Sequence, residues 1–149
     1  MRQILGSVVF LALACPLTFA DEKADALKKL NGTYDVLSLV VEGKADPKKA
    51  DKVIFVIEDG KLSVIEGGKK DRDNKAKITV DPSKKPAQID VTPEDGKKGT
   101  LLGIYELKET DKGAELTIAL GRDMTERPKD FKGEGKGEMA VKLLKKKEK

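Results

Sequence analysis

Five side chains in this chain have types and neighbours suited to recognition chemistry: Tyr34, Tyr105, Arg122, Arg127 and Phe131. Arginine is scarce against a background of lysine, yet Arg122 and Arg127 fall in one irregular stretch with Phe131. A guanidinium presents a planar fork of donors that engages carboxylate or phosphate in a bidentate manner. If the stretch 122–136 folds over the mouth of a cavity, its two arginines would bind an anionic ligand at the rim. The plainer alternative is ordinary surface charge, with Phe131 pinning the stretch to the core. Tyr34 and Tyr105 each combine an apolar ring with a polar tip, the composition of a side chain that lines a ligand cavity.

Much chemistry is absent. The sequence has no histidine and a single cysteine, Cys15. Ser-His and Cys-His nucleophilic catalysis and the usual zinc ligand sets are therefore excluded from residues 21–149. No Gly-rich phosphate loop of either common pattern occurs. The run Asp71-Arg72-Asp73-Asn74 resembles the start of a calcium loop, but Ala76 stands where the glycine is required and Pro82 where the twelfth ligand belongs. The acidic pairs Glu58-Asp59 and Glu94-Asp95 fall in expected turns, where desolvation is too weak to raise a carboxyl pKa for general-acid work. Asn31-Gly32-Thr33 matches a glycosylation pattern and reads more simply as a helix stop leading into a strand. The expectation is a non-enzyme with no cofactor and no metal.

The N-terminus has the three parts of an export signal in order: Arg2, an apolar run from Ile4 to Ala14, and a small-residue cleavage site at Thr18-Phe19-Ala20. The apolar run is shorter than the roughly 20 residues a spanning helix needs. Residues 1–20 are thus expected to be a signal peptide, with 21–149 a single exported domain, periplasmic or extracellular, that has no stable membrane span. A lipid anchor at Cys15 is the minor alternative. Without Cys15 the domain has no disulfide, so packing and backbone pairing must stabilise it alone.

Charge is abundant but mixed, with a formal net value of +4 for the whole chain. Lysines lie among acids, which reads as a solvated surface. The dense run Lys145-Lys146-Lys147-Glu148-Lys149 is a basic tail. Beyond the signal only Tyr34, Phe55, Tyr105 and Phe131 are aromatic, too few for the stacking platforms of single-strand binders, and no nucleic-acid partner is expected.

These residues need elements to position them. Ala24, Leu27 and Leu30 recur every three residues before Asn31-Gly32, which predicts a short helix over 21–30. After it the period becomes two. Strands are expected over 33–42, 52–58, 61–66, 75–80, around 89–91, over 100–107, 116–120 and 139–143. In the first, Tyr34, Val36 and Val40 share one face and Leu37, Leu39 and Val41 the other. Asp59-Gly60 is a two-residue hairpin signal, and Asp46-Pro47 opens a helical turn. About eight short strands with turns between neighbours, and no crossover helix, predict an all-β fold: an antiparallel up-and-down barrel with a short N-terminal helix. Strands 33–42, 52–58 and 100–107 are apolar on both faces, so the helix or a second subunit should cover them. Gly103, in mid-strand between Leu101 and Tyr105, reads as a barrel corner or space for an aromatic neighbour rather than as the approach of a ligand.

Several separated motifs resemble one family. They are Leu30-Asn31-Gly32-Thr33-Tyr34, the block Asp81-Pro82-Ser83-Lys84-Lys85-Pro86, Ile89-Asp90-Val91-Thr92, Gly99-Thr100-Leu101-Leu102-Gly103-Ile104-Tyr105, and Arg127-Pro128 with Phe131. Together they look like the small secreted, lipocalin-like domain abundant in planctomycete bacteria, a family without an assigned activity. The resemblance implies a β-barrel and export, and it implies neither a known ligand nor a reaction. The family often has tryptophan where this chain has Tyr34. Two functions stay open at this point: a carrier of a small, partly apolar or anionic ligand, and a cell-envelope structural or protein-interaction module with a filled barrel.

Overall fold

The computed structural model describes residues 19–68, 75–96, 99–122 and 126–147. The expected leader up to Thr18, Cys15 and the run Asp71–Asn74 lie outside the described residues. Helix α1 (Phe19–Leu30) precedes β1 (Gly32–Val41), a two-residue β2 (Lys44–Ala45) and the single turn α2 (Pro47–Ala50). Then come β3 (Val53–Glu58), β4 (Lys61–Glu66), β5 (Lys75–Asp81), β6 (Ala87–Pro93), β7 (Leu101–Thr110), β8 (Gly113–Gly121) and β9 (Glu138–Lys145). Every pairing is antiparallel between neighbours, and β1 also pairs with β9. Eight long strands thus form one closed ring, the up-and-down barrel that the alternating pattern predicts, with β2 appended to the outer end of β1.

Local chemistry explains the connections. Asp59 and Gly60 both take positive φ, 47° and 76°, the backbone a two-residue hairpin turn demands. Asp46 caps α2 by accepting from the Lys49 N–H at 3.2 Å, and Pro47 stands at its first turn. At the end of α1, Asn31 grips that same hairpin turn twice. Its Nδ2 donates to Asp59 Oδ1 at 3.2 Å, and the Asp59 N–H donates to its Oδ1 at 3.0 Å.

Inside the ring lie Ile57, Leu62, Ile78, Ile89, Leu116, Ile118, Val141 and Leu143, all buried. The first strand departs from simple alternation. A bulge between Val36 and Ser38 inserts one residue, so Leu39 joins Tyr34 and Val36 on the inner face. Leu37 is left on the bulge, 47 % exposed. Period-two counting across that point had grouped Leu39 with Leu37, and the extra residue reverses the phase.

The outer wall of β7 is covered, but not by the expected helix. The segment 126–137 lies along it, and Phe131 packs on the buried Ile104, Ala119 and Ala140. Helix α1 instead lies at one end of the barrel against β3 and β5, with Leu30 fully buried and Ala26 and Leu27 packed on the core.

Candidate functional site: a groove beside the N-terminal helix

The barrel interior is nearly full. The void at its centre is about 40 Å³ and is lined only by apolar side chains, among them Phe55, Ile78, Ile118 and Val141. Drug-sized ligands occupy sites of roughly 300–1,000 Å³. At the end opposite α1, where β1 and β3 part beside the bulge, a mouth of about 260 Å³ is lined by Val36, Leu39, Val53, Phe55, Met139 and Val141, with Lys49 and Glu66 at its edge.

A groove of about 770 Å³ lies outside the lumen, at the α1 end. Three elements build it. Helix α1 contributes Glu22, Asp25, Ala26, Lys29 and Leu30, residues that helical spacing puts on one face. The β5–β6 turn contributes Pro82 and Pro86, with Ala87 at the start of β6. Strand β7 supplies Tyr105, Glu106 and Leu107, and Phe131 closes one side from the segment on the outer wall. The floor is apolar and the edge charged.

The two tyrosines have different roles. Tyr34 is 0 % exposed, and its hydroxyl donates to the Leu30 carbonyl at 2.8 Å, satisfying a group at the C-terminal end of α1. Burial, with the nearby Glu109 charge, pushes its phenol up to about 12. Tyr34 is a structural plug with no free polar atom to offer. Tyr105 is 7 % exposed and lines the groove, and its hydroxyl has no hydrogen-bond partner among the described residues. Burial raises its pKa, and the Asp81 carboxylate raises it further, so the group is a neutral phenol at physiological pH.

Neither arginine lines the groove. Arg122 is exposed and is held by its backbone, whose N–H donates to the Gly137 carbonyl at 2.7 Å. Arg127 lies across the outer face of β6 and β7. Its Nη1 is 2.7 Å from Asp90 Oδ1, donates to the Gly103 carbonyl and reaches the Ile89 carbonyl at 3.4 Å. The N–H directions serve the two carbonyls. Asp90 Oδ1 therefore gains Coulomb attraction without an aligned hydrogen bond. Through Nη1 this guanidinium fastens the segment 126–137 to the barrel wall.

Of the five side chains singled out from the sequence, Tyr105 and Phe131 thus meet at one groove, while Tyr34, Arg122 and Arg127 lie elsewhere. Sequence reading missed the α1 face and the two prolines. The helix was visible, but where its polar face would lie depends on the docking of Leu30 and the Asn31–Asp59 grip, which connect residues far apart in the chain. Among the described residues no group of three acidic, cysteine or histidine side chains could hold a metal ion. No protein-family model, curated protein or solved structure matches the chain.

Proposed function

We propose that the protein is an exported, non-enzymatic barrel that binds a small, partly apolar molecule in the groove beside α1 and not in its lumen. The unpartnered hydroxyl of the otherwise buried Tyr105, at the floor of a groove of about 770 Å³, carries this reading. The hydroxyl opens into the groove, where a ligand group can take the place of water on it, a net gain of typically about 1 kcal/mol per hydrogen bond. Ala26, Leu30, Pro82, Pro86, Leu107 and Phe131 offer the apolar contact. Covering roughly 150 Å² of apolar surface would gain about 4 kcal/mol before ordering costs, so millimolar to high-micromolar affinity is the natural scale. The signal-like N-terminus and the motif resemblance to secreted domains support export.

A second reading, an envelope structural or protein-interaction module, has support in the interior void of about 40 Å³. Native mass spectrometry of protein isolated from its own host tests the choice. The binding reading expects a co-purifying small molecule that is lost when Ala26→Trp fills the groove. Protein that carries nothing, and whose amide resonances around 82–87 and 105–107 ignore 1-octanol, would overturn it. A pull-down from envelope extract that returns a stable partner would then favour the interaction module.

A further inference from the structure

We infer that the ligand carries a positive charge on its apolar body, a protonated amine being the simplest case; this rests on the groove reading above. The edge of the groove has three carboxylates, Glu22, Asp25 and Glu106, against one ammonium, Lys29. Glu106 is engaged by Lys108 at 3.0 Å, whereas Glu22 and Asp25 make no ion pair among the described residues. One helical turn apart, they stand on the same face of α1 as Ala26 and Leu30.

The second observation is the hydroxyl below them. Tyr105 is more than nine-tenths buried, its oxygen has no protein partner, and it lines the same groove. As a neutral phenol it can accept a hydrogen bond from an ammonium N–H. Asp81 acts on this phenol, adding negative potential at the floor, although Lys23 and Lys84 in turn act on Asp81. The whole chain is net cationic, so an acidic edge at this groove opposes the average surface. Exposed carboxylates add little raw affinity. They set the sign of the charge that is tolerated, because a like charge brought beside them is repelled.

Three probes of equal chain length separate the outcomes: octylamine, 1-octanol and octanoate, each below its aggregation limit, at pH 7 and low salt. Amide chemical shifts of the full chain report site and affinity together. The amine should bind about fivefold more tightly than the alcohol, with octanoate weakest, the factor one exposed charge pair supplies. Raising the salt to about 0.5 M should remove most of that preference, since exposed charges are then screened. Neutralising the edge with Glu22→Gln and Asp25→Asn together should weaken the amine about threefold and leave the alcohol unchanged. Both sites are exposed helix positions, so folding is not at issue. Octanoate binding as well as octylamine, or a double variant that leaves amine affinity untouched, would overturn the charge assignment while the groove itself stands. Failure of all three probes to shift groove resonances would instead overturn the groove.

Discussion

Tyr34 shows how one hydroxyl ties helix to barrel. Tyr34→Phe removes the donor to the Leu30 carbonyl inside a sealed environment, and the expected cost is about 1–2 kcal/mol in urea unfolding. Its ionisation gives a pH signature. The folded phenol, pushed up to about 12, resists ionisation that the unfolded chain undergoes near 10. Between those values the unfolded state binds fewer protons, so stability is fully present below about pH 10 and falls as pH rises towards 12. Unfolding measured from pH 9 to 12 should show that loss, and Tyr34→Phe should flatten it. Arg127 belongs at this scale too. Arg127→Ala strands Asp90 and two backbone carbonyls, and because the pair is partly exposed the expected cost is only about 1–2 kcal/mol. Arg127→Lys should recover part of it, since one ammonium keeps the charge but not the planar fork. A denaturant series on the three proteins checks the order.

Among the elements, the strands were legible in the sequence and their wall coverings were not. Alternation in 75–80, 89–91 and 116–120 marks one face inward wherever the strand is regular, and β5, β6 and β8 appear there. The bulge in β1 defeats that logic, because a single inserted residue carries no sequence mark of its own. The anchoring of segment 126–137 depends on Arg127 meeting Asp90 and on Phe131 meeting Ile104, contacts between residues distant along the chain. Gly103 was legible as a close-approach position, though not what approaches it. A Cβ there would stand 2.5 Å from the Ala119 carbonyl and 2.5 Å from the Leu120 side chain, so it is the neighbouring strand that needs the space. Gly103→Ala must push β7 away from β8 and should cost about 1–3 kcal/mol by overpacking. Thermal unfolding reads the loss directly.

For the whole molecule, closure of the ring leaves the interior to its own side chains. The void of about 40 Å³ shows how completely they fill it. Ile118 is buried at its centre, so Ile118→Ala should cost about 2–5 kcal/mol and enlarge an apolar cavity. Such a cavity stays dry and takes small apolar guests. Benzene should therefore raise the melting temperature of this variant and leave that of the unaltered protein unchanged; equal shifts in both would show that the parent lumen already admits guests.

The seam between β1 and β9 has a temporal meaning. Tyr34 lies opposite Lys145 and Val41 opposite Met139, so the first long strand waits for the last to complete its pairing. A nascent chain emerging in order can form the hairpins from β3 through β8 while one edge of β1 still offers bare amide groups. Only when Glu138–Lys145 has emerged can that edge be sealed, so the ring closes after its last strand is made.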